Sequence, residues 1–149
     1  MTLHLLKLCV GVTSIADLVE WIDEQQTYAR RAGRSFEQRH TTRMVPKRGD
    51  EILRDAAGPG SLYWVIKGQI ACRQRLIDIR PFTDGEGIGR CHLVLEPVVV
   101  PVEPRPYRAF QGWRYLAAKD APRDIAGEAE GLDAMPEDLR RELAGLGLI

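Results

Sequence analysis

The sequence is poor in cysteine and in aromatic residues. It has three cysteines, Cys9, Cys72 and Cys91, and aromatic residues make up 7% of the chain. An odd number of cysteines without regular spacing argues against a secreted scaffold held by disulfides. The apolar start, residues 1–11, is too short to span a membrane and lacks a basic leader and a small-residue cleavage site. These absences predict a cytoplasmic protein with reduced thiols and no membrane association.

The sequence also lacks the short motifs that identify a reaction. It has no GxxxxGKS or GxxxxGKT loop for phosphates, and Gly85–Gly89 lacks the strand-to-helix setting of a dinucleotide site. Cys9 and Cys72 lie in apolar runs, where a thiol is more often a core residue than a nucleophile. The sequence therefore predicts no cofactor, and it leaves open whether the protein is an enzyme.

A zinc site has little support. Convergence of the strands that carry Cys72, Cys91, His92 and His40 would supply ligands that suit zinc. However, there is no CxxC or HxxxH pair, and Cys91 and His92 point to opposite sides of a strand. We therefore expect no metal.

Length and composition are those of one soluble globular domain. The chain has 149 residues, of which 44% are hydrophobic and 28% are charged. The net charge is zero, but residues 30–114 contain 16 lysines and arginines against 9 acids, whereas both ends are acidic. This asymmetry indicates a polyanionic partner, unless acidic terminal helices fold back over a basic sheet.

A helix is predicted directly after residue 14. Ser14 is a favourable N-cap with Asp17 three residues later, and Gly33 is a favourable end. One face of this helix is apolar, with hydrophobic residues at Ile15, Leu18, Val19 and Ile22.

Short strands are predicted at residues 3–10, 40–45, 62–66, 69–79, 91–95 and 98–102. The stretch Ser61–Phe82 contains two of them, joined by a turn at Lys67-Gly68. In the second strand Ile70 and Cys72 occupy even positions, whereas Ile77 and Ile79 occupy odd ones. We therefore expect either a β-bulge near residues 74–76 or apolar cover on both faces, and we favour the bulge. Pro101 restricts the last strand to a sheet edge or a bulge.

Strands at short spacing, with helices confined to the two ends, predict an α+β protein. We expect residues 1–116 to form a small, partly open, mixed β-barrel with an N-terminal helix at one opening. Residues 117–149 are expected to form a linker and a C-terminal helix, packed on the barrel or on a partner. That helix has Pro136 in its first turn and an apolar stripe of Leu139, Leu143 and Leu146.

Basic and aromatic residues are interleaved in the expected strands and turns. Cations neutralise phosphates, and exposed aromatic rings stack on bases. Trp64, between apolar residues, is expected in the core, whereas Trp113 beside Gly112 is expected at the surface. The candidate nucleic-acid-binding residues are Arg43, Lys47, Arg48, Lys67, Arg73, Arg75, Arg108, Trp113 and Arg114.

Four blocks of the sequence resemble a known family. Similarity to the bacterial domain of unknown function 1489 is found in Thr42–Arg48, Gly60–Phe82, Gly87–Cys91 and Arg108–Leu116. The resemblance covers residues 1–120, and the family has no assigned activity. A looser resemblance is to the PUA-like superfamily with its ASCH and EVE branches, where a PKxGD turn precedes a strand pair, as Pro46–Asp50 does here. It implies a small β-barrel that binds RNA or reads a modified base, and no base-reading residue is carried over.

Three functions remain open from the sequence. The first is a cytoplasmic RNA-binding module that uses the basic residues and Trp113. The second is a small-molecule pocket or enzyme whose barrel mouth is lined by Trp64, His92 and Trp113. The third is an adaptor, or a homodimer, formed through the C-terminal helix.

Overall fold

The computed structural model describes residues 2–125, most of which belong to one mixed β-sheet and the helices beside it. The predicted α+β class is confirmed. In chain order the elements are β1 (His4–Leu8), α1 (Ile15–Arg31), β2 (Gln38–Thr42), α2 (Gly49–Leu53), β3 (Ser61–Ile66), β4 (Gln69–Thr83), β5 (Gly89–Leu95), β6 (Val100–Pro106), β7 (Trp113–Leu116) and a short 3-10 helix (Ala118–Asp120).

The sheet is open. Its order is β2-β5-β4-β3-β1-β7, with β6 paired to β4. β1 and β3 are parallel, and the other strand pairs are antiparallel. Within residues 2–125 no ladder joins β2 to β7, so the expected barrel is not closed. Side chains bridge this gap: Trp113 Nε1 donates to the Met44 carbonyl at 2.8 Å, and the Tyr115 hydroxyl accepts from Arg48 N at 3.0 Å.

Helix α1 forms as the sequence predicts. The Ser14 hydroxyl accepts a hydrogen bond from the Asp17 backbone N–H at 3.1 Å, which satisfies one of the free donors of the first turn. The buried side of the helix includes Ile15, Leu18 and Ile22, and this side covers the sheet. The turn between β3 and β4 is also confirmed. Lys67 and Gly68 have φ angles of 50° and 74°, the left-handed pair that a two-residue hairpin requires.

Strand β4 contains two β-bulges. One register shift lies between Leu76 and Asp78 opposite β5, so Ile77 is the extra residue and is 56% exposed. Leu76 and Ile79 consequently pack on the same side of the sheet. A bulge was predicted near residues 74–76, and the structure has it at Ile77. A second shift at Ala71, between Ile70 and Cys72, was not predicted.

The sheet buries apolar side chains on both faces. The face toward α1 carries the first core, in which Trp64 is 1% exposed, as expected for this residue. The opposite face carries the second core around Tyr63, Val65 and Ile70. β3 is buried along its whole length because its side chains alternate between these two cores.

Several predicted boundaries are wrong. β2 spans Gln38–Thr42 rather than residues 40–45, because its buried anchor is the polar Gln38. β6 spans Val100–Pro106 rather than 98–102, and within residues 2–125 it pairs with β4 and through one bridge between Val102 and Asp124. This edge position agrees with the restriction set by Pro101.

The predicted C-terminal helix, with its stripe of Leu139, Leu143 and Leu146, lies outside the described residues and stays a prediction. The proposed division at residue 116 also stays a prediction. Residues 123–125 bond to β6 through Glu103 N to Arg123 O and Ile125 N to Pro101 O. Among the described helices, none combines the length and apolar character needed to cross a membrane.

Candidate ligand pocket

A pocket of about 380 Å³ lies between α1, the end of β1, β2 and β3. Its volume falls in the range of roughly 300–1,000 Å³ that is common for small-ligand sites. The pocket is lined by residues 8–12, which include Cys9, and by Lys7, Asp17, Leu18, Trp21, His40 and Trp64. We call this cavity the Trp pocket.

Three aromatic rings dominate the Trp pocket. His40 contacts Trp64 edge to face with ring centroids 4.8 Å apart, and it lies 6.1 Å from the ring of Trp21. Trp64 is 1% exposed, whereas Trp21 is 39% exposed. The pocket therefore has a buried indole at its base and a second indole at its exposed side, an arrangement that suits a flat ring.

A buried network of amides supports His40 and Trp64. Gln74 Oε1 accepts from Trp64 Nε1 at 2.9 Å, and Gln74 Nε2 donates to the Glu96 carbonyl at 3.0 Å. Gln38 and Gln74 exchange two hydrogen bonds, of 2.7 and 3.2 Å, and Gln38 Nε2 lies 3.1 Å from His40 Nε2. Gln38 and Gln74 are 1% and 0% exposed, so this network holds the rings of His40 and Trp64 from their buried side.

The titratable groups of the Trp pocket favour binding over catalysis. Burial, reinforced by the Lys7 charge, lowers the pKa of His40 to about 4, so its imidazole is neutral at pH 7. Burial raises the pKa of the Cys9 thiol to about 12, which keeps it protonated. Hydrogen bonds from Thr13 lower the pKa of Asp17. None of these three groups is tuned for proton transfer near neutral pH.

The predicted basic residues do not share one surface. Arg73 and Arg75 alternate with Cys72 and Gln74, which face the first core, so both arginines project from the opposite face of β4. Arg73 binds Asp124 through two hydrogen bonds of 2.8 and 2.6 Å, and Arg75 lies 3.9 Å from a carboxylate oxygen of Glu96.

The remaining predicted residues differ in how far they are engaged. Arg48 binds Glu51 at 2.6 Å, and Arg114 lies over the Phe110 ring at 4.6 Å. Trp113 is half-buried and bonded to Met44, so the surface position expected for it is only partly realised. The exposed cations that form no ion pair within residues 2–125 include Arg43, Lys47, Lys67 and Arg108. Lys67 is close enough to Asp17, at the edge of the Trp pocket, to lower its pKa.

The predicted mouth of Trp64, His92 and Trp113 is wrong in two members: only Trp64 lines the Trp pocket, whereas the Trp113 ring contacts Tyr115 and bonds to Met44. His92 stacks on Phe82 with ring centroids 4.1 Å apart, and its cross-strand partner Thr41 is exposed. The histidine beside Trp64 is His40 instead. Cys72 and Cys91 are buried in the first core, whereas the His92 side chain projects from the other face of β5, and the described residues contain no group of three potential metal ligands.

Lys7 and Trp21 were not predicted as functional residues, and His40 was predicted only as a possible metal ligand. A usable signal was present in two places. Trp21 directly follows Glu20 and is not among the buried residues of α1, and His40 is the one ring in the polar strand Gln38–Thr42. An aromatic residue in a polar setting is a reason to look for a binding role.

A family model described as protein of unknown function (DUF1489) matches residues 5–149. Comparison with curated proteins and with solved structures finds no significant match in either set. The likeness to the PUA-like superfamily therefore stays a prediction.

Proposed function

The chain belongs to the DUF1489 family, and we propose that it is a nucleic-acid-binding module that holds one unstacked base of single-stranded RNA in the Trp pocket. The observation that carries this proposal is the pair of indoles, Trp21 and Trp64, around a neutral imidazole in a cavity with a lysine in its wall.

The rings supply the main attraction for a base. Stacking of a base on an aromatic side chain contributes roughly 1–3 kcal/mol and is available to any base, since each has a π-face. Trp21 is the accessible partner, whereas Trp64 and His40 close the inner end of the cavity. The cavity volume of about 380 Å³ is sufficient for one base, and Trp21 offers the ring on which that base would stack.

Cations near the opening provide contacts for phosphates. Lys7 lines the Trp pocket, Lys67 lies near Asp17 at its edge, and Arg43 follows β2 three residues after His40. Of the predicted residues, Arg73 and Arg75 project from the other face, so we expect them to contribute less to this interface.

Binding of a fluorescein-labelled single-stranded RNA octamer, followed by anisotropy, tests the proposal. Replacement of Trp21 by Ala removes the accessible stacking surface and should weaken binding about tenfold. The double variant K7A/K67A should lower the slope of log affinity against log salt by about 1.4, because each phosphate contact on a single strand contributes about 0.7. The matched control is R75A/R114A, which removes the same charge away from the Trp pocket and should leave affinity within about twofold.

The outcomes are separable. Absence of RNA binding, or binding that W21A leaves unchanged, contradicts the proposal. Equal losses in K7A/K67A and R75A/R114A indicate nonspecific attraction and also contradict it. A free small molecule is the second candidate, because Lys7 and Asp17 offer both signs of charge at one cavity. Uridine monophosphate that binds as tightly as the octamer would favour this second candidate.

A further inference from the structure

The orientation of the Gln74 amide is determined by two groups that cannot change roles. An indole Nε1–H only donates, and a backbone carbonyl only accepts. Trp64 Nε1 lies 2.9 Å from Gln74 Oε1, and the Glu96 carbonyl lies 3.0 Å from Gln74 Nε2. A flipped amide would place donor against donor at one end and acceptor against acceptor at the other. Gln74 therefore has one permitted orientation.

The orientation of Gln38 is determined in the same way. Its Oε1 accepts from Gln74 Nε2 at 2.7 Å, and its Nε2 donates to Gln74 Oε1 at 3.2 Å. A flip of Gln38 alone would oppose two N–H groups at 2.7 Å. One hydrogen of Gln38 Nε2 is then used on Gln74, and the other is directed at His40 Nε2, 3.1 Å away.

His40 must therefore accept at Nε2, so the proton of its neutral ring is on Nδ1. Among the described residues no buried side-chain nitrogen or oxygen lacks a hydrogen-bond partner, and Nδ1 of His40 has no partner there. Nδ1 is consequently not completely buried. Because His40 lines the Trp pocket, a ligand held there can approach its Nδ1–H.

We infer that His40 is the specificity-determining residue of the Trp pocket, which selects ligands that bring a carbonyl oxygen or an unprotonated ring nitrogen to its Nδ1–H. Gln38 and Gln74 act as positioning residues that hold this tautomer. The inference rests on the proposed function, because it specifies which hydrogen-bonding groups the base bound in the Trp pocket must have on its edge.

A ligand that brings only N–H or C–H groups to Nδ1 of His40 is disfavoured, because the buried amides of Gln38 and Gln74 fix the tautomer of this ring. Its N–H would oppose Nδ1–H, and transfer of the proton to Nε2 would oppose the N–H of Gln38. Relief would require both buried amides to flip against Trp64 and Glu96. A site whose polar groups are satisfied only by the matching partner discriminates strongly against the analogue that lacks it.

The first measurement needs no ligand. A long-range ¹H–¹⁵N correlation spectrum of the full chain at pH 7 should show His40 protonated at Nδ1, with its signals assigned from an H40F variant. Q38M removes the donor to Nε2 and should give a mixture of tautomers. The matched control is Q69M, which replaces an exposed glutamine of β4 and should leave the His40 signals unchanged. A His40 protonated at Nε2 in the unmodified chain overturns the inference.

The second measurement compares two RNA octamers, one with a central uracil and one with difluorotoluene, a ring of the same shape without strong acceptors. The unmodified chain should prefer uracil about tenfold. H40F keeps an aromatic ring but no donor and should abolish the preference, whereas Q38M should reduce it. Equal binding of both octamers to the unmodified chain overturns the inference but leaves the proposed function intact. Failure of both to bind overturns the proposed function and this role of His40 with it. If H40F does not fold, Q38M decides: a full tenfold preference in a chain of mixed tautomers contradicts the inference.

Discussion

His40 and Trp64 are in edge-to-face contact at 4.8 Å although two strands, β5 and β4, lie between the strands that carry them. Three inter-strand steps of about 4.8 Å would separate the backbones by roughly 14 Å in a flat sheet. The contact therefore requires the sheet to bend between β2 and β3. The bulge at Ile77 in β4 lies on this path, and bulges increase local bending and twist. The Trp pocket is a product of that bend.

The N–H of the Trp64 indole should contribute to stability separately from the aromatic ring. In W64F, Gln74 Oε1 keeps only the weaker bond from Gln38, so a buried acceptor is partly unsatisfied and the core loses volume. We expect the free energy of unfolding to fall by about 2–3 kcal/mol. Urea denaturation measures it. W21F is the control, since Trp21 is 39% exposed and has no hydrogen bond to lose within the described residues, and a cost equal to that of W64F would contradict the prediction.

The protein should lose stability between pH 6.5 and pH 4. Burial is the first cause that lowers the pKa of both His4 and His40 from 6.5 to about 4. The folded state thus binds protons less readily than the unfolded chain. The stabilisation is complete above pH 6.5, decreases as the pH falls through this window and is lost near pH 4. Each histidine should account for about 2–3 kcal/mol.

Urea unfolding at pH 7.0, 6.0, 5.0 and 4.5 measures this slope. The variants H4Q and H40Q should each flatten it, and the double variant should nearly abolish it. Carboxylates with lowered pKa values, such as Asp78 and Asp84, act mainly below this window because their ordinary value is 3.8. Stability that stays constant from pH 6.5 to 4.5 in the unmodified chain would contradict the prediction.

The ion pair of Arg73 and Asp124 should be worth more than an exposed pair. Arg73 donates to Asp124 with two bonds and to the Ser61 hydroxyl at 2.9 Å, and its side chain is 21% exposed. This fork geometry holds residues 123–125 against β4. A double-mutant cycle with R73Q and D124N should give a coupling of about 1–2 kcal/mol.

A matched pair is available on α2. Arg54 and Asp50 are 3.8 Å apart, with side chains 81% and 89% exposed. The same cycle there should give about 0–0.5 kcal/mol, because solvent screens the charges. Couplings of equal size at the two pairs would show that the Arg73 pair behaves as an ordinary surface contact.

Gly60 should not tolerate a side chain. A Cβ at this position would lie 2.1 Å from the Leu3 carbonyl oxygen and 2.8 Å from Ile52 Cγ2. G60A should therefore reduce the free energy of unfolding by about 3 kcal/mol, because the backbone of the β1 region must shift. G85A is the control, since a Cβ there meets nothing within 4 Å, and it should change stability by less than about 0.5 kcal/mol. Thermal and urea denaturation of both variants would decide the matter.

Local patterns were sufficient where one residue determines a structure. Ser14 starts α1 and the Lys67-Gly68 pair forms the hairpin turn, as predicted, because capping and positive φ angles are local requirements. A bulge in β4 was correctly predicted, although the pattern behind the prediction does not hold, since Ile70 and Cys72 lie in different cores and Ile77 is exposed. These features need no knowledge of partners distant in sequence.

Long-range partners explain what the sequence did not predict. Gln38 begins β2 because it bonds to Gln74, 36 residues later, whereas its polarity alone suggests a loop. The Trp pocket unites Trp21, His40 and Trp64 from three elements, so no spacing rule could find it. The basic residues were predicted to share one surface. The alternation of side chains shows which residues share a face within one strand, but the face of the sheet that α1 covers depends on all the strands.

The reciprocal pair of Gln38 and Gln74 also constrains how this family can evolve. A single replacement at either position leaves a buried amide without its counterpart, so neutral drift through one change at a time is penalised. Relatives should keep both glutamines with His40 and Trp64, or exchange all four for an apolar set. A member that has made the exchange would have given up the selectivity inferred for this pocket.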